Sequence, residues 1–283
     1  MNTTMRAGSD APTTSGTDAL VDPAWLEDHL DDPSVSVVEV DVNAAAYSDG
    51  HIPGAVLWDV YRDLKDAEYQ LVDDAALVRL IERSGISRDS TVVFYGYAPA
   101  MGFWLMQRFR HTDTRILDTA RSTWQQRGRP WTARSDAPAP AHYPLDGTDE
   151  SIRARGSTVE GAMSDPTRTI LDVRSDAEYR GECFWPSGGL EAGGRAGHVP
   201  SARHIPADDL YDPTGAFRPR RELATRYSTL DPDHDVITYC TIGGRACTTW
   251  FVLTHLLDHG RVRVYDGSWA EWGRLPDTPV ECS

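Results

Sequence analysis

At roughly 100–200 residues per domain, a chain of 283 residues predicts two domains. Lys and Arg total 28 against 43 Asp and Glu, a net charge of −15 that repels polyanions and excludes nucleic acid and anionic membranes as expected partners. Four cysteines without CxxC spacing predict neither a disulfide framework nor a zinc site, and the compartment is expected to be the reducing cytoplasm.

In chain order, residues 1–19 are rich in Thr, Ser, Gly and Asp and are expected to form a disordered tail. They lack the apolar segment of a secretion signal, and nowhere do about 18 apolar residues run without a charge to predict a membrane span. Residues 20–126 carry the turn Gly50-His51-Ile52-Pro53-Gly54-Ala55, the apolar run Val92-Val93-Phe94-Tyr95-Gly96, and Ile116-Leu117-Asp118 with Trp124. Residues 127–150 hold Pro130, Pro138, Pro140 and Pro144 without apolar periodicity, and are expected to be a partly extended linker. Residues 151–283 repeat the first set of blocks in the same order. They are Gly197-His198-Val199-Pro200-Ser201-Ala202, then Val236-Ile237-Thr238-Tyr239-Cys240, then Val264-Tyr265-Asp266 with Trp272. A repeat of this kind sets the architecture before any local assignment.

Short β-branched runs alternate with amphipathic stretches in each copy, the pattern of an α/β domain whose mostly parallel sheet is flanked by helices. In the second copy, strands are expected at Thr169–Val173, Val236–Tyr239 and Val262–Tyr265, with a short helix at Glu178 and Tyr179. A longer helix over Ala246–Leu257 puts Trp250, Leu253, Leu256 and Leu257 on one face. His51 and His198 occur in both copies, including the copy without a candidate nucleophile, so their expected role is to close the turn. Asp118/Trp124 and Asp266/Trp272 have the same duplicated character.

Cys240 stands where a strand leaves the sheet and a helix begins, the end at which parallel sheets bind ligands. After it, Thr241, Ile242, Gly243, Gly244, Arg245 and Ala246 can curl so that successive N–H groups face a common centre, with Gly243-Gly244 providing the freedom. Such a cradle, with Arg245 as a fixed cation, favours thiolate over thiol and predicts Cys240 as a nucleophile. Cys183, Cys247 and Cys282 lack these neighbours and are expected to be structural.

Tandem Gly-His-Ile/Val-Pro turns, a Cys-x-x-Gly-x-Arg loop in the second copy, and the closing Tyr265-Asp266-Gly267-Ser268-Trp269-Ala270-Glu271-Trp272 resemble the two-domain rhodanese family of sulfurtransferases, over about residues 20–280. The resemblance implies two tandem rhodanese-like domains, an inert first copy with Gly96 at the cysteine's place, and a catalytic second copy. It further implies that a thiolate takes sulfane sulfur from a small anionic donor as a persulfide and passes it to a thiophilic acceptor: cyanide, a thiol or a sulfur-carrier protein. No metal or organic cofactor is implied. Rhodanese-fold phosphatases have a loop one residue longer than the four residues between Cys240 and Arg245, so the loop suits a single sulfur atom.

Arg174 matches a family position with an arginine at the site, whereas Glu178 stands where many animal members carry a second one and is expected to repel a dianion. Arg195, in the insertion Pro186 to Gly197, is the candidate replacement; a solvated loop arginine is the alternative. The loop Cys-Thr-Ile-Gly-Gly-Arg matches neither the basic thiosulfate type nor the mercaptopyruvate type. Thiosulfate is the expected donor and 3-mercaptopyruvate the runner-up. A non-enzymatic persulfide- or redox-sensing module is the alternative from another class.

Overall fold

The structure, a computed structural model, describes residues 19–282, so the tail expected over residues 1–19 lies, up to residue 18, outside the described residues. Among the described residues, ten strands form two sheets. The first contains β1 (Leu20–Val21), β2 (Val35–Asp41), β3 (Val56–Asp59), β4 (Thr91–Gly96) and β5 (Thr114–Leu117) in the order β1-β5-β4-β2-β3. The second contains β6 (Arg153–Ala154), β7 (Arg168–Asp172), β8 (Arg203–His204), β9 (Asp235–Tyr239) and β10 (Val262–Tyr265) in the order β6-β10-β9-β7-β8. All pairings are parallel. The two orders are the same, so the short sequence blocks mark a duplication of the whole topology. Helices cover both faces, which is why β4 and β9 are nearly continuous apolar runs. Among the described residues no helix is long and apolar enough to cross a membrane.

The expected elements shift by a residue or two. The helix expected from Ala246 begins at Gly244, because Gly243 at φ 102° turns the chain in one residue. Its α-helical part ends at Phe251, and Val252–Leu256 widens into a π turn.

The expected linker is extended but fastened to the first domain. His51 and Thr132 exchange backbone hydrogen bonds at 2.8 and 3.0 Å, the Ala141 N–H donates to the Glu82 carbonyl at 2.9 Å, and Tyr143 is buried beneath Arg88. The end of the chain follows the same path: His198 pairs with Glu281, and the Trp272 indole donates to the Pro279 carbonyl as that of Trp124 does to Pro130. Residues 132–143 of the expected linker thus lie against the first domain, along a path that the end of the chain repeats in the second. His51 and His198 engage the Tyr47 and Tyr179 carbonyls through Nδ1 at 2.9 and 2.8 Å and stack on those tyrosine rings, a structural use present in both copies.

The domains share one apolar cluster. Helix Pro99–Arg108 packs on helix Gly244–Phe251, with Phe103 edge-on to Phe251 at 4.9 Å, and the Phe217 N–H donates to Asp118 at 2.7 Å. Helix Pro99–Arg108 also lies flush on its own sheet: a Cβ at Gly102 would come within 2.4 Å of the Phe94 ring. Gly102→Ala should therefore destabilise the protein by about 1–3 kcal/mol through overpacking, although alanine favours an isolated helix. A lower urea midpoint at unchanged m-value is the expected result; a raised midpoint would show that the interface yields.

Candidate active site

Cys240 follows directly on β9, a central strand of the second sheet, and is 1% exposed. The Gly243 N–H donates to its sulfur at 3.1 Å. The loop is gripped from the far side by the turn after β10: the Cys240 N–H donates to Ser268 Oγ at 3.2 Å, and the Trp269 and Ala270 N–H groups donate to the Cys240 and Thr241 carbonyls, both at 2.9 Å. Ser268 adopts φ 53° to make this possible and donates its own hydroxyl to the Tyr265 carbonyl at 2.8 Å.

The sulfur lies at a cavity of about 60 Å³, room for a small ion, built by both domains. The first contributes Val60, Tyr61, Tyr97 and Ala98; the second contributes Trp185, Thr241, Ile242, Gly244 and Arg245. Tyr61 and Tyr97 are exposed at its mouth, and Tyr69 links Tyr61 to Trp185 through ring contacts at 6.2 and 5.3 Å.

The Rhodanese-like domain family matches residues 22–127 and 157–275 of this chain. The chain belongs to the rhodanese-like family. It is 39% identical over 274 residues to the sulfur carrier protein TtuD of Thermus thermophilus, covering 93% of this chain and 96% of that protein. It is 37% identical over 270 residues to the thiosulfate sulfurtransferase of Corynebacterium glutamicum, covering 93% and 90%. Among solved structures, wild-type EanB matches with a TM-score of 0.83 at 22% identity over 95% of this chain and 70% of that one. YnjE matches with a TM-score of 0.77 at 24% identity over 94% and 68%. At these identities the structural likeness speaks for the rhodanese fold alone.

Within the rhodanese loop, Thr241, Ile242, Gly244 and Arg245 face the cavity and Gly243 reaches the sulfur, while Ala246 is turned into the core. Arg245 is not a free cation. Both of its terminal nitrogens donate to the Glu178 carboxylate at 2.8 Å, and one also donates to Thr241 Oγ1 at 2.7 Å. Thr241 in turn donates to Glu178 at 2.5 Å. Glu178 caps its own short helix through the Ser175 N–H and hydroxyl. The expected repulsive carboxylate is thus buried beneath Arg245, where each cancels the other's charge.

Arg174 needs correction as a donor-binding residue. It is fully buried and forked onto Asp172 and the Gly197 carbonyl, and its guanidinium lies 4.5 Å from the Trp269 ring. The physical reason is Asp172 itself, a buried carboxylate that also accepts the Tyr239 hydroxyl at 2.5 Å and demands a cation. The first domain solves the same problem differently: buried Glu39 meets Arg121 at 3.0 Å, and Arg121 occupies the repeat position of Trp269. Arg195 is likewise spent elsewhere. It donates to the Thr278 carbonyl and hydroxyl at 2.6 Å and to the Trp272 carbonyl at 3.3 Å, tying the insertion to the end of the chain. Trp269 is buried and donates to the Arg195 carbonyl at 3.0 Å. Cys247 is buried in the helix, and Cys282 is exposed with its thiol on the Ala196 carbonyl. Cys183 is half-buried.

Sequence reasoning missed Tyr61, Tyr97, Trp185 and Ser268. The repeat held the signal for one of them: Gly96 aligns with Cys240, so Tyr97 aligns with Thr241 and belongs to a strand-end loop.

Burial alone would raise the Glu178 carboxyl, but the bonds from Arg245, Thr241 and Ser175 outweigh it and hold it at about 2, against an ordinary 4.5. A carboxyl depressed on folding stabilises the fold above its unfolded value, and that contribution is lost as pH falls from about 4.5 through about 2. Glu178→Gln should lose about 2–3 kcal/mol at neutral pH and show a flatter stability profile below pH 4.5. Urea unfolding across that range decides it, and parallel profiles for variant and wild type would refute the linkage.

Proposed function

We propose that this protein is a cytoplasmic sulfurtransferase that carries sulfur as a persulfide on Cys240. The observation that carries the proposal is a cysteine sulfur accepting a loop N–H at 3.1 Å, at the carboxyl end of a central parallel strand, facing a cavity of ion size. The names borne by relatives from Thermus thermophilus and Corynebacterium glutamicum, a sulfur carrier and a thiosulfate sulfurtransferase, support the same chemistry.

In the first half-reaction the Cys240 thiolate attacks the sulfane sulfur of thiosulfate. A new S–S bond forms as the old one breaks, and sulfite leaves with the electron pair. The persulfide anion then sits among the N–H groups of Thr241 to Ala246, fixed dipoles that need no reorganisation as charge moves outward by one atom. In the second half-reaction a thiophilic acceptor attacks the outer sulfur and the thiolate is regenerated. Cyanide would leave as thiocyanate; a thiol or sulfur-carrier protein would leave as its own persulfide. Arg245, held flat by Glu178 and Thr241, orients the anionic donor at the rim of the loop. Because Glu178 offsets that charge, a donor of lower charge, 3-mercaptopyruvate, is the second reading, and comparing kcat/KM for the two donors separates them.

Incubation with thiosulfate should add the mass of one sulfur atom to the peptide containing Cys240, and cyanide should remove it. Cys240→Ser should abolish transfer, whereas Cys247→Ser and Cys183→Ser should keep most of it. Modification of Cys240 without turnover on any acceptor would favour a sensing module instead. Loss of activity in a folded Cys247→Ser variant would demand a two-cysteine mechanism.

A further inference from the structure

Lys65 belongs to the first domain yet serves the second. It follows the π turn Val60–Leu64 at the end of β3 and is 3% exposed. Its backbone is fixed: Val60 and Leu64 are buried, Asp59 caps the turn through the Tyr61 and Arg62 N–H groups at 3.0 Å, and Lys65 pairs with Leu71 in an isolated bridge. From there Nζ crosses the domain interface and donates to the main-chain oxygen of Asp266 at 2.7 Å. Asp266 opens the turn that grips the nucleophile loop, with Ser268 Oγ accepting from the Cys240 N–H and the Trp269 N–H donating to the Cys240 carbonyl.

Burying a lysine head costs several kcal/mol unless opposite charge repays it. Burial pushes Lys65 below the ordinary lysine range; Asp266, Cys247 and Cys240 act in the opposite sense, and Arg153 adds to the depression. The Asp266 carboxylate is already shared with Arg153 at 2.7 and 2.9 Å, and burial pushes the Cys247 thiol up and keeps it neutral, which leaves Cys240 as the thiol on which the buried ammonium can act. On the open side of Cys240 the charge of Arg245 is already matched by Glu178, and the remaining titratable neighbours, Tyr61 and Tyr97, carry no positive charge.

We propose that Lys65 is a positioning residue for Cys240: it braces the Asp266–Trp269 turn and supplies, from the non-catalytic domain, the buried positive charge that favours the thiolate and its persulfide. This rests on Cys240 being the nucleophile, and it gives the first domain a chemical part in the site.

The test is the rate of iodoacetamide alkylation of Cys240 against pH, followed peptide by peptide in wild type, Lys65→Gln and Lys65→Met. Gln keeps an N–H for the Asp266 oxygen without the charge, and Met loses both. The midpoint should rise in both variants, with alkylation at neutral pH roughly three- to tenfold slower. Gln should retain more of the high-pH rate than Met. A wild-type midpoint in both variants, whatever happens to their melting temperatures, overturns the proposal. Sulfur loading from thiosulfate in the same wild-type sample tests the nucleophile assignment separately.

Discussion

The N–H groups of Trp269 and Ala270 reach the carbonyls of Cys240 and Thr241, and the rest of the site depends on that pair of bonds. Cys240 and Thr241 leave the sheet with buried backbones, and an unpaired buried carbonyl would cost about 1–3 kcal/mol. With the carbonyls held outward on the far turn, the loop's N–H groups are free to face the sulfur, as that of Gly243 does. The cost appears at Ser268, a non-glycine residue in the left-handed region, whose hydroxyl is spent on the Tyr265 carbonyl while its oxygen receives the Cys240 N–H. The strain sits in the turn that holds the loop and not at Cys240 itself.

Duplication explains what the first domain retains and what it has given up. Both copies keep the strand order, the stacked Tyr–His turn and a buried carboxylate–tyrosine–arginine cluster, because these close the fold around any such sheet. The first copy differs by more than the absence of a thiol. At Gly96, φ is 107° and a Cβ would meet the Val40 carbonyl oxygen at 2.8 Å, so the backbone itself no longer accepts a side chain there. The same strand end turns Tyr97 and Ala98 towards the neighbouring cavity and is part of its wall.

Features carried by local order were legible in the sequence. Each repeated block is a run of a few residues that recurs at a nearly constant spacing, and the strand-to-helix turn at Cys240 with its Gly243-Gly244 pair is equally local, so all of them are legible from order alone. The arginines were not legible, because their roles depend on burial. Arg174 matches a family position, but burial turns it back onto Asp172, at the end of the strand it follows. Arg195 lies in a Gly-rich insertion whose path is set by Thr278 and Leu275, some eighty residues later. Glu178 reads as repulsive until its partner is known. Lys65 carries no signal in its own neighbourhood, since its contact is in the other domain.

The electrostatics of the site follow from this arrangement. The chain carries a net charge of −15, and Arg245 is the one cation among the described residues lining the cavity, already engaged by Glu178. Net attraction from the cavity wall is therefore a poor explanation for holding an anionic sulfur, and the ammonium proposed to act from behind the loop, that of Lys65, adds no charge to that wall. Directed N–H dipoles are a better one: they act within a few ångströms, are weakly screened where water is excluded, and ask for no counter-charge in the solvent-facing wall. On the proposed function, a site built this way would both receive a sulfur and surrender it, because the same dipoles would serve the thiolate and the persulfide. A fully charged pocket would favour the bound anion over its release. The Glu178–Arg245 pair keeps the guanidinium rigid while removing most of its attraction, so the hold on an anion at the sulfur falls to the loop's N–H groups.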